Sequence, residues 1–153
     1  MDLKFKLRSF QPPKDYFGDL PQSKYWLSSR FKVNIKFRRT SEWDVDLYKF
    51  IFDTGAYVSI APDSLINHLG IEPLHTGQIH GIVEKKECRL DVKTAYIKFK
   101  LVDDKGKESN ELEGWFAFHS LEKEPLLLGM NGILKKIGLF KKQNDDYVIV
   151  SVP

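Results

Sequence analysis

Apolar and polar residues alternate with a period of two along much of the chain. Phe31-Lys32-Val33-Asn34-Ile35-Lys36-Phe37 places its apolar side chains on one face and polar ones between them, which predicts a half-buried strand. Leu3, Phe5 and Leu7 alternate with Lys4, Lys6 and Arg8 and predict a short amphipathic strand. Leu90 to Leu101 predicts a long one, with Ala95, Ile97, Phe99 and Leu101 set against Tyr96, Lys98 and Lys100. Leu47 to Phe52 and Leu112 to Phe118 read as further strands, and the apolar run before Gly129 as a fully buried one. Tyr147 to Val152 is apolar on both faces. Such a strand needs cover on both faces, and an open edge there would invite aggregation; a partner chain is one source of cover.

Two segments break the two-residue period. Ala61 to Gly70 reads as a short helix, with Pro62 in its first turn, Asp63 at the positive end of the dipole and Gly70 as a left-handed stop. Asn131 suits the N-cap of a second short helix carrying Ile133, Leu134 and Ile137, with Gly138 as its stop. Between them, in Ile71 to Cys88, Gly77 and Gly81 bracket Gln78-Ile79-His80, and Ile82-Val83 leads into Glu84-Lys85-Lys86-Glu87, which predicts a hairpin. Arg38 to Asp46 is a polar connection around Trp43, and Asp103 to Lys107 is a turn. Residues 1–30 carry Pro12-Pro13 and Leu20-Pro21, yet also Tyr16, Phe17, Tyr25, Trp26 and Leu27. They are expected to form an extension that packs on the domain or acts as a pro-segment. The fold class predicted is mostly β, a small closed barrel or sandwich with one or two short helices.

Composition narrows the function classes. The 153 residues fit one domain, and 42% hydrophobic and 13% aromatic content exclude a disordered chain. A net charge of +3 from 24 basic and 21 acidic residues is too mild for a nucleic-acid footprint. The lysine pairs at 85–86, 135–136 and 141–142 read as solvated faces. Cys88 is the sole cysteine, which rules out an intrachain disulfide and a paired-cysteine zinc site; it reads as a core thiol. His68, His75, His80 and His119 have no metal-ligand spacing, so neither metal nor cofactor is expected. No apolar run reaches the length of a signal peptide or a membrane span, and the expectation is a cytoplasmic protein.

The candidate chemistry lies in Phe50-Ile51-Phe52-Asp53-Thr54-Gly55-Ala56. A carboxylate ends an apolar strand, and a glycine follows that lets another backbone or a ligand approach. Asp53-Thr54-Gly55-Ala56 resembles the active-site signature of the aspartic proteases. Gly129-Met130-Asn131, placed after a late apolar strand, adds a second motif. The order of elements over residues 31–153 is similar to that of the retropepsin-like (retroviral-type) family. The resemblance implies a closed-barrel acid-protease fold for that domain. It also implies that Asp53, Thr54 and Gly55 are the catalytic triplet, and that the hairpin from Gly77 to Leu90 is a flap over an extended peptide. On the same ground Ala56, Gly81, Ile82 and Val83 would contact substrate, and Thr54 would hydrogen-bond across a two-fold axis. Met130 departs from the basic residue usual at that place, and Glu84 to Glu87 is bulkier and more charged than the usual flap tip.

One aspartate is not enough for this chemistry. Hydrolysis without metal or covalent nucleophile needs a carboxylate to take a proton from water and a carboxylic acid to polarise the carbonyl. Two carboxyls about 3 Å apart cannot both ionise and so share a proton, as is general for aspartic proteases. Asp63, Asp91, Asp103, Asp104, Asp145 and Asp146 lack the Thr-Gly context. The protease reading therefore requires a homodimer with Asp53 from each subunit, acting on an extended peptide or protein. Two alternatives come from other classes: a catalytically silent dimerisation or peptide-binding module, and a basic β domain for nucleic acid.

Overall fold

The structure, a computed structural model, describes residues 1–10, 28–53, 55–80, 89–123, 126–133, 136–140 and 146–153. The strands are β1 (Asp2–Phe10), β2 (Ser28–Phe37), β3 (Tyr48–Phe52), β4 (Ser59–Pro62), β5 (His75–His80), β6 (Arg89–Val102), β7 (Leu112–His119), β8 (Leu127–Leu128), β9 (Gly138–Phe140) and β10 (Tyr147–Ser151). The helix α1 (Asp63–Leu69) lies between β4 and β5. The chain is mostly β, as the alternation predicts. Six strands in the order β6-β7-β4-β8-β3-β2 form a ring, closed by antiparallel pairing of β2 with β6 from Asn34↔Val102 to Phe37↔Phe99. Beyond the ring, β5 extends β6, while β1, β10 and β9 extend β2.

The inward positions of the alternating strands meet inside the ring. Phe116 lies 5.4 Å from Phe37, 6.0 Å from Phe50 and 5.6 Å from Phe99, centroid to centroid, each in an edge-on arrangement. All four rings are fully buried. Edge-on pairs of this kind contribute about 0.5–1.5 kcal/mol each beyond the area they bury. In β3, Phe50 and Phe52 point into the core while Lys49 faces solvent. The strand that delivers Asp53 is thereby fixed in register.

Strand β1 is part of this fabric. Residues 2–6 pair with β10 and residues 7–10 with β2, and Leu3 and Phe5 are fully buried. Of the rest of the predicted extension, residues 28–30 begin β2 and residues 11–27 lie outside the described residues. Strand β10 pairs with β1 on one side and β9 on the other, so both of its hydrogen-bonding edges are filled within the chain. Val148, Val150 and Val152 are buried; Tyr147 and Ile149 on the opposite face are half-buried.

Two local expectations are corrected. Ala61 and Pro62 belong to β4 rather than to the helix, because both continue the parallel ladder with Phe118 and His119. Pro62 is the extended N-cap of α1, and Gly70 closes it at φ 66° as predicted. The second correction concerns the segment after Asn131. Among the described residues α1 is the one helix, and residues 131–133 and 136 are turns. Ile133 N–H donates to Met130 O and Lys136 N–H to Ile133 O, both three-residue turn bonds. Gly138 is not a helix stop: it opens β9 opposite Ser151, and the left-handed glycine is Gly132 at φ 78°. Leu134 lies outside the described residues.

The polar connection after β2 is pinned by a buried acid. Asp44, 2% exposed, accepts the Tyr48 hydroxyl at 2.9 Å, and His68 and Arg39 lie 3.4 and 3.7 Å from its oxygens. Burial pushes the Asp44 carboxyl up. The Tyr48 hydroxyl, the Asp46 N–H and the charges of Arg39 and His68 outweigh burial and hold it below its ordinary value. A depressed folded pKa stabilises above the unfolded value, about 3.9, and that contribution disappears as pH falls through the folded value. Asp44→Asn is expected to cost about 1–3 kcal/mol at neutral pH and to flatten the loss of stability below about pH 4. Thermal unfolding followed from pH 7 to pH 2 checks both; an unchanged acid arm would remove Asp44 from this role.

Candidate active site

Alternation along β3 buries Phe52 and leaves the next residue, Asp53, half-buried at the rim of the core. Its carboxylate is oriented locally: Gly55 N–H donates to Asp53 Oδ1 at 2.9 Å. A side chain at position 55 would bring Cβ within 3.3 Å of that same oxygen. Glycine there keeps room around the carboxylate. Ala56 N–H donates back to Asp53 O at 3.3 Å, closing the turn.

The turn is then laced to a second segment far along the chain. Strand β8 lies parallel to β3, with Ile51 opposite Leu127 and Phe52 opposite Leu128. Asp53 N–H donates to Leu128 O at 3.0 Å, Met130 N–H to Ala56 O at 2.9 Å and Asn131 N–H to Tyr57 O at 2.8 Å. Gly129 N–H donates to the buried Ser59 hydroxyl at 3.0 Å. Residues 128–131 therefore run across the Asp53 turn and bond to it on successive residues. Gly129 has no room to spare: an added Cβ would lie 2.5 Å from Val58 C and O and 2.9 Å from Ala56 O. Only glycine allows two backbones so close.

The Gly129-Met130-Asn131 motif thus meets the Asp53 turn in space. Met130, where the resemblance leads one to expect a basic residue, is 5% exposed and packed in the core, with its N–H committed to Ala56 O. Of the predicted site residues, Asp53, Gly55 and Ala56 are brought together here. Thr54, Gly81, Ile82 and Val83 lie outside the described residues. The hairpin stem is described: β5 pairs with β6 from His75↔Thr94 to His80↔Arg89. Sequence reading missed Ser59, whose hydroxyl orders the crossing, and Tyr57, which is 79% exposed on the Asp53 turn. A lone polar residue between Val58 and Ile60 was the available signal for Ser59.

One grouping of metal-type donors occurs among the described residues: Asp44, Asp46 and His68, with ligand atoms within 4.8 Å of one another. The Arg39 guanidinium lies 2.8 Å from His68 Nε2 and 3.7 Å from Asp44, so a built-in cation already faces these donors. No helix among the described residues is long and apolar enough to cross a membrane.

No family model matches the chain, and no curated protein matches it. Among solved structures, a retropepsin-like aspartic protease from Rickettsia conorii is similar over 98% of this chain and 90% of that one, with a TM-score of 0.49 and 16% identity. A likeness of that degree carries no weight for activity, which has to rest on the residues themselves.

Proposed function

We propose that the chain is a homodimeric aspartic endopeptidase. The observation that carries this reading is the Asp53 carboxylate at the strand end, oriented by Gly55 N–H and anchored by the 128–131 crossing. One carboxylate per chain supplies half of the acid–base pair that peptide hydrolysis needs, so the second comes from another copy. In the pair, one Asp53 is ionised and takes a proton from water. The other is protonated and polarises the scissile carbonyl, then protonates the departing amine. The shared proton belongs to the pair. The β5–β6 hairpin would cover an extended peptide, excluding water and pairing with its backbone.

An edge suited to a second copy supports the dimer. Among the described residues strand β9 ends the sheet, and its Phe140 is 61% exposed. Beside it, the half-buried face of β10 carries Tyr147 and Ile149. Sedimentation is expected to show a two-copy species, stabilised by a peptide-like inhibitor. A strictly monomeric chain with inhibitor present rejects the shared site. Cleavage of a diverse peptide library is expected at acidic or neutral pH; a dimer that cuts nothing is the silent peptide-binding module instead.

A further inference from the structure

A cavity of about 330 Å³ lies beyond the end of β2, lined by Arg38, Arg39, Thr40, Ile71, Tyr96 and Lys98. That volume is at the small end of ligand sites, which span roughly 300–1,000 Å³. Its making is local. Arg38 N–H donates to Lys98 O and Arg39 N–H to Glu42 O, so the chain turns off β2 with two successive arginines at the cavity. Alternation along β6 puts Tyr96 and Lys98 on its outer face, while Ala95, Ile97 and Phe99 are buried.

The residues lining this cavity include three cations and no carboxylate; the acids that pair with them, Glu111 and Asp44, lie outside the lining. Arg38 and Lys98 share one carboxylate, Glu111, at 2.8 and 2.7 Å. Arg39 is 3.7 Å from Asp44, which already accepts the Tyr48 hydroxyl. Its Nη2 faces His68 Nε2 at 2.8 Å. Its Nε is buried and has no hydrogen-bond partner among the described residues. That nitrogen is shut off from solvent and does not itself reach the cavity; the exposed part of the guanidinium does. The lining itself, three cations with a threonine, a tyrosine and an apolar wall at Ile71, favours an anion. Guanidinium groups bind planar oxyanions by paired hydrogen bonds.

We propose that this cavity binds a small organic anion, with its phosphate or carboxylate group on Arg39 and Lys98 and a flat apolar body against Tyr96 and Ile71. The site is separate from Asp53 and does not depend on the protease reading. The same chemistry is offered by a free aryl phosphate and by a phosphorylated aromatic side chain on a peptide.

Titrations of the full chain at low salt, followed by amide chemical shifts, test this with inorganic phosphate, phenyl phosphate and capped phosphotyrosine. Saturable shifts are expected at residues 38–40, 71 and 96–98, with phenyl phosphate at least about five-fold tighter than inorganic phosphate. Capped phosphotyrosine tighter than phenyl phosphate assigns the ligand to a peptide; the reverse order assigns it to a free molecule. Lys98→Gln and Arg39→Gln are each expected to weaken binding about ten-fold. Because Arg39 also touches Asp44, Lys98→Gln is the variant that spares the fold, and thermal unfolding of both confirms it. No saturable binding below about 10 mM overturns the proposal. Equal affinity for all three probes, or binding indifferent to Lys98→Gln, also overturns it.

Discussion

Asp53→Asn is expected to abolish peptide cleavage and leave the two-copy assembly intact. Asparagine has the same shape and its carbonyl oxygen still accepts the Gly55 N–H, so the turn keeps its anchor. What it loses is the ability to take or give a proton. Acid–base catalysis by one group contributes about 10²–10⁴-fold, and in the proposed dimer both members of the pair are replaced at once. A fall in kcat/KM of at least about 1,000-fold is therefore expected on the best substrate of a peptide library. Sedimentation of the same sample shows whether the assembly persists. Mixing experiments add a readout that a structural role would not move. With free subunit exchange, an equal mixture of wild type and variant holds about one quarter wild-type pairs, and its activity reports whether one intact Asp53 suffices. Full activity in Asp53→Asn removes the aspartate from the chemistry.

Gly129→Ala is expected to cost about 3 kcal/mol or more and to lower cleavage in the molecules that still fold. The new methyl would meet Val58 C and O at 2.5 Å. Both are backbone atoms, so no rotamer change relieves the clash, and overpacking that must move a backbone lies at the upper end of such costs. The 128–131 segment would have to withdraw from the Asp53 turn. Asp53 N–H, Ala56 O, Tyr57 O and Ser59 Oγ would then lose their partners together. Gly77→Ala is the control, because open space surrounds that position. Urea unfolding of both variants separates a local clash from the general cost of replacing glycine. A Gly129→Ala protein as stable as Gly77→Ala would show that the two segments do not hold each other.

The strands were legible because alternation is a local signal. Leu3 and Phe5, Val33 and Ile35, and Ile97 and Phe99 each sit two residues apart and each is buried. Gly70 was legible for the same reason: a helix stop is written within one turn. The crossing at Gly129 was legible only as a motif resembling a family's. Its bonds join residues some 70 positions apart, and no periodicity records them. The late helix failed on the same point. Ile133 and Ile137 have helical spacing, but the chain there is bound to Tyr57 O through Asn131 N–H and then to β10 through Gly138. Tertiary partners outweighed a short stretch of propensity. Pro62 shows it again, since its ladder position beside His119 outweighed its fitness for a helix start.

The placement of β1 sets the order in which the sheet can form. Its outer half is held by residues 147–151, the last strand of the fold, while its inner half meets β2. During synthesis, Leu3 and Phe5 emerge well before β10, the strand they pair with. Loop closure over so long a span is entropically unfavourable until the core beneath it exists. The ring of six strands can close without β1, β9 and β10. Those three are therefore expected to dock last and to open first.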